Sequence, residues 1–175
     1  IIDKLEEISG KSYDSNTSEM RIIADHLRGA YLLTAQGLVP SNKQHGYALR
    51  RIIRRAILKA LNLGIEQNFL EEVLPSIAEN YKDLPDSILT HREEVLSVLS
   101  KEEQAFRRTL NRGIKELGKL KESGLTGKEI FMLQDTYGFP IDLTREILEE
   151  NGMSVNNEEF EDLLKKAKQM AKDAR

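Results

Sequence analysis

The 175 residues carry 39% hydrophobic side chains, enough for one medium domain or two small lobes with a true core, which excludes wholesale disorder. The absence of Cys excludes a disulfide scaffold, a thiolate metal site and a Cys nucleophile, and it fits a reducing, cytoplasmic setting. The net charge of −3 excludes a uniformly basic coat for nucleic acid, yet residues 26–65 hold no Asp or Glu and carry Arg28, Lys43, Arg50, Arg51, Arg54, Arg55 and Lys59. The chain is an acidic body with one basic segment. No apolar run is long enough to span a bilayer. IIDKLEEISG is not a signal peptide, and its lack of an initiator Met suggests a piece of a longer chain.

Strand signals are nearly absent and helical spacing is widespread. Ile1 to Ile8 reads as a short helix closed by Gly10. After the polar loop SYDSNTS, Asn16 and Glu19 have the spacing of a capping box. The helix they would open runs to about Gln36, with Met20, Ile23, Leu27, Ala30 and Tyr31 on one face and Gly37 as its stop. LVPSNKQHG is a loop, and Tyr47 to Leu63 is the next helix, ended by Gly64. Gln67 to Tyr81 is helical, with Pro75 either kinking or splitting it. DLPDS is a break. Ile88 to Glu122 reads as one long helix or a stacked pair, with KEEQAFRR on its solvated face and Gly113 and Gly118 weakening its last third.

A second lobe is expected from about Gly124, dividing the chain into 1–123 and 124–175. Thr126 and Glu129 make a capping box before a helix from Lys128 to about Tyr137, which Gly138 and Pro140 end. Asp142 to Glu150 follows, stopped by Asn151 and Gly152. Asn156 and Glu159 would cap the last helix, whose apolar stripe is Phe160, Leu163, Leu164, Ala167, Met170 and Ala171. The expected fold class is all-α: a helical bundle with a smaller C-terminal helical lobe.

The basic helix carries the first functional signal. Arg50 and Arg54, Arg51 and Arg55, and Arg55 and Lys59 are each four apart, so their side chains stack on successive turns. Leu49, Ile52, Ile53, Ala56, Ile57 and Ala60 form the opposite, anchoring face. Like charges at this spacing cost a helix a few tenths of a kcal/mol per pair, and a polyanion would relieve that repulsion. The planar Arg fork suits phosphate, so the rows could track a nucleic-acid backbone. The plainer reading, equally supported by charge alone, pairs these cations with carboxylates elsewhere in the chain.

His26, His45 and His91 lack metal-ligand spacing and have no Cys to join them. No phosphate-cradling Gly loop and no nucleophile, base and oxyanion constellation can be read. PSNKQHG and DTYGFP are short polar segments pinned by Gly or Pro at helix junctions, which project side chains from rigid supports. Asn42 offers a donor and an acceptor, and Asp135 offers acceptors alone, the groups a base edge requires. The plainer reading makes Asn42 an N-cap or turn residue and Asp135 the partner of an Arg.

RIIADHLRGAYLLTAQGLVPSNKQHGYALRRIIRRA (21–56) and FMLQDTYGFPIDLTREILEENG (131–152) resemble, in order, two blocks of alanyl-tRNA synthetase. The resemblance implies the helical tRNA-recognition region that follows a class II catalytic core, with that core and the editing domain lying elsewhere in the full-length chain. It implies an acceptor stem of alanine tRNA as partner, read at a G·U pair by Asn42 and Asp135 and held along its backbone by Lys43, Arg50, Arg51, Arg54, Arg55 and Lys59. It implies no catalytic residue, metal or cofactor in these residues, and ATP with Mg for the full-length ligase. The 175 residues alone are expected to be inactive. The alternative is a non-enzymatic helical module that binds RNA or another protein.

Overall fold

The computed structural model describes residues 1–82, 92–123, 126–140, 144–150, 152–153 and 157–173. Among them are eight helices and no strand: α1 (Ile2–Ser9), α2 (Thr17–Ala35), α3 (Gln44–Asn62), α4 (Leu70–Asn80), α5 (Arg92–Ser123), α6 (Gly127–Asp135), α7 (Thr144–Glu150) and α8 (Asn157–Asp173). The chain is all-α, as its periodicity predicts. No described helix is long and apolar enough to cross a membrane.

The chain divides into two compact units, Ile1–Ala105 and Phe106–Arg175. The division between the units falls inside α5. In the first unit α2 packs along α3, and α1 touches α2 and α4. Met20, Ile23, Leu27 and Tyr31 of α2 and Leu49, Ile53, Ala56 and Ile57 of α3 are buried, which are the faces expected from their spacing. In the second unit α6 packs on α8. Phe106 meets Phe139 edge to face, with ring centroids 6.3 Å apart. Gly113 of α5 makes room for this loop: a Cβ there would lie 2.7 Å from the Phe139 ring.

Helix ends show where local chemistry decides. Thr126 and Glu129 form the expected capping box, with the Thr126 N–H donating to Glu129 Oε2 at 3.0 Å. The box expected at Asn16 and Glu19 does not form. The Asn16 amide instead donates to the Ser12 carbonyl at 3.0 Å, so it serves its own turn. The box expected at Asn156 and Glu159 lies outside the described residues. Pro75 neither splits α4 nor ends it. Burial of Leu70, Val73, Leu74 and Ile77 outweighs a helix-interior proline's cost of about 3 kcal/mol. A distant carboxylate also holds α4's first turn: Glu103 accepts from Phe69 N at 3.1 Å and Leu70 N at 3.0 Å.

Candidate nucleic-acid interface

The PSN loop and the head of α3 form one tight structure. Ser41 N donates to the Gly46 carbonyl at 3.1 Å, and Lys43 N donates to Ser41 Oγ at 3.3 Å. A Cβ at position 46 would lie 2.7 Å from the Val39 carbonyl oxygen, so only Gly lets the loop fold back on the helix. Gln44 adopts a φ of 46°, a conformation that side-chain-bearing residues rarely take. Asn42, Lys43, Gln44 and His45 are all exposed at this corner.

The cations of α3 do not form one row. Glu102 of α5 reaches into them with a side chain only 7% exposed. Arg54 meets it through Nη2 at 2.7 Å and Nε at 2.8 Å, and Arg50 meets it through Nε at 3.1 Å. These guanidinium side chains are themselves 14% and 22% exposed. Burial lowers the Arg54 pKa from the ordinary arginine value, and the Glu102 charge opposes that shift. Arg50 further donates through Nη1 to Asn42 Oδ1 and through Nη2 to the Pro40 carbonyl at 3.5 Å. Lys59, expected among the backbone-binding residues, is buried. Lys43 and Arg51 are exposed, and Arg55 is half-buried, as Arg50 and Arg54 are.

The plainer reading describes the pairing of Arg50 and Arg54 with Glu102. Reading KEEQAFRR as a solvated face misses Glu102 and Glu103, which are both buried. A signal for them exists. Val95, Leu99, Phe106, Leu110 and Leu117 form a buried stripe along α5, and the two acids occupy its next slot after Leu99.

In the second unit, Asp135 is the last residue of α6 and is exposed. Among the described residues it pairs with none. Gly138 follows at a φ of 71°, and Phe139 N donates to the Leu133 carbonyl at 2.9 Å to close the helix end. The Tyr137 carbonyl accepts from Thr109 Oγ1 of α5 at 2.8 Å. Phe139 is fully buried, so the DTYGFP segment is anchored on one side while Asp135 stays in water.

His26 is half-buried, with Nδ1 3.8 Å from the neighbouring Asp25 carboxylate, and His45 is exposed. His91 lies outside the described residues. Among the described residues no three His, Cys, Asp or Glu side chains are grouped to hold a metal ion.

The whole chain, residues 1–175, matches the family described as tRNA synthetases class II (A). It is 39% identical over its full length to an alanine–tRNA ligase of Alkaliphilus oremlandii and covers 21% of that protein. It is 36% identical to the alanine–tRNA ligase of Streptococcus pneumoniae, with 98% of this chain and 21% of the relative aligned. The Streptococcus pyogenes enzyme is also 36% identical, over 99% of this chain. The chain thus spans about a fifth of the length of these relatives. Two motif-bearing blocks in one continuous match, within a family model that takes in every residue, leave one conclusion: the chain belongs to the class II tRNA synthetases, as part of the alanyl-tRNA synthetase family.

Proposed function

We propose that this chain is the tRNA-recognition part of an alanine–tRNA ligase, and that it grips the acceptor stem and reads a G·U pair within it. The observation that carries the reading is the corner at the head of α3. There an exposed amide, Asn42, is fixed by Arg50 beside the exposed cations Lys43 and Arg51. Lys43, Arg51 and Arg55 hold the sugar–phosphate backbone. Arg50 and Arg54 are bound to Glu102 and shape the corner from within.

The chemistry of the wobble pair suits the two polar residues. A G·U pair leaves the guanine exocyclic amine without a base partner in the minor groove. The RNA minor groove is wide and shallow, so side chains can enter it. Asp135, acceptor-only and exposed, matches that amine. A Watson–Crick pair occupies the amine and leaves the carboxylate poorly matched. ATP and Mg act elsewhere in the full-length ligase, and the present residues take part in substrate choice and positioning.

Stem–loop RNAs with G·U or G·C at the reading position test this. The chain should prefer the G·U stem, and Asp135→Ala should erase the preference, a loss of about 1–3 kcal/mol of discrimination. Arg51→Ala should weaken both stems alike and reduce the log–log salt slope by about one. Equal loss on both stems from Asp135→Ala would remove the base-reading role. The 175 residues alone should show no alanine-dependent ATP–pyrophosphate exchange.

A further inference from the structure

A single guanidinium ties the PSN loop to the interior of the first unit. Arg50 directs Nε to Oε1 and Oε2 of Glu102, at 3.1 and 3.2 Å, and Nη2 to the Pro40 carbonyl at 3.5 Å. Its Nη1 donates to Asn42 Oδ1. Glu102 is in turn clamped by Arg54 at 2.7 Å, so the carboxylate that orients Arg50 cannot swing away. The loop side is equally restrained, by the Ser41 and Gly46 hydrogen bond at 3.1 Å and by the absence of a side chain at Gly46.

This arrangement orients an amide. A guanidinium has donors and no acceptor, so the edge of Asn42 that faces Arg50 is its oxygen. The NH2 edge is left to the solvent side, and among the described residues nothing accepts from it. We propose that Arg50 is a positioning residue that holds Asn42 with its amide donor outward, so that Asn42 binds an oxygen acceptor on RNA. The inference rests on the acceptor-stem reading above and deepens it. The acceptor for Asn42 is a base carbonyl or a ribose 2′-hydroxyl oxygen, both of which the RNA minor groove displays. Arg50 contributes no phosphate contact of its own, although it lies in the basic segment.

The test measures affinity of this chain for the G·U stem across a salt series, using Arg50→Met, Asn42→Ala, their combination, and Asn42→Asp. Arg50→Met should weaken binding roughly tenfold, the scale of one lost polar contact to a base, with the salt slope unchanged. With Asn42→Ala already present, Arg50→Met should cost less than about twofold, because the two residues act as one unit. Asn42→Asp keeps the shape and strengthens the tie to Arg50, yet turns the outward donor into an acceptor. It should bind at least as weakly as Asn42→Ala. A stem with 2′-deoxyriboses at the wobble pair distinguishes the acceptors. If the cost of Asn42→Ala vanishes there, the ribose is the partner; if it persists, the base carbonyl is, and either result supports the inference.

Independent losses from Arg50→Met and Asn42→Ala, or a salt slope lowered by about one in Arg50→Met, would make Arg50 a phosphate contact and overturn the inference while leaving the acceptor-stem reading intact. Native affinity in Asn42→Ala would instead remove Asn42 from the recognition site, and the inference with it. Should Arg50→Met fail to fold, Asn42→Asp decides alone, since it alters an exposed side chain; binding tighter than Asn42→Ala would overturn the donor-outward orientation.

Discussion

A carboxylate at the C-terminal end of a helix faces the negative end of the helix dipole. Asp135 stands there, exposed and without a partner among the described residues. Opposed to the dipole, such a charge costs a helix about 0.3–1 kcal/mol, and nothing described offsets it. Placements of that kind fit residues kept for what they bind. Asp135→Asn should therefore raise stability by a few tenths of a kcal/mol in urea denaturation, while lowering the preference for a G·U stem. Glu129 is the opposite case. The Thr126 hydroxyl donates to its carboxylate and lowers its pKa below the ordinary 4.5, burial opposes the shift, and the Thr126 backbone N–H adds to it. A carboxyl with a depressed folded pKa adds stability above its unfolded value and loses it as pH falls through the folded value. Glu129→Gln should thus destabilise the chain at neutral pH. The gap should narrow as thermal melts are repeated at pH values falling through and below the ordinary glutamate range.

At the scale of elements, α5 contains two glycines that propensity treats alike. Each would gain up to about 1 kcal/mol on replacement by Ala in an exposed helix interior. Their surroundings separate them. At Gly118 an added Cβ meets nothing within 4 Å, and the position is exposed. At Gly113 it would lie 2.7 Å from the Phe139 ring and 3.0 Å from Tyr137 Cβ. Phe139 is fully buried and cannot withdraw. Calorimetric melts should show Gly118→Ala stabilising by about 0.5–1 kcal/mol and Gly113→Ala destabilising by about 1–3 kcal/mol. Stabilisation at both sites would mean that Phe139 does not pack against α5. The same contact explains why α5 continues unbroken through a stretch that its glycines weaken. α4 depends on a neighbour in a similar way, through Glu103 at its first turn and the burial of its apolar face around Pro75.

Over the whole molecule, charge is sorted by depth. In the acid-free segment 26–65, Glu102 of α5 holds Arg50 and Arg54, and Lys59 is buried. Lys43 and Arg51 are exposed. Salt should distinguish the two populations, because exposed charges are screened over a Debye length of about 10 Å at 0.1 M while buried pairs are screened much less. Between about 50 and 200 mM salt, RNA affinity should fall steeply and the melting temperature of the free chain should change little. A melting temperature that falls with the affinity would place the Arg50, Arg54 and Glu102 cluster within reach of solvent ions.

Sequence alone determined whatever depends on residues a few positions apart. The helical class, the stops at Gly37, Gly64 and Gly138, the Thr126 and Glu129 box and the anchoring face of α3 all follow from i to i+4 spacing, and each is found. It also isolated the two segments that carry Asn42 and Asp135. Asn16 shows the limit even of local rules, because its side chain could accept for the helix or donate to the turn, and the turn prevailed. Tertiary structure decided which cations meet Glu102. Arg50 and Arg51 are neighbours with equal charge and equal propensity. Arg50 meets a buried carboxylate 52 residues away, and Arg51 is exposed. Spacing along a helix specifies that such side chains point in different directions, but only the packing of α5 against α3 puts Glu102 in front of one of them.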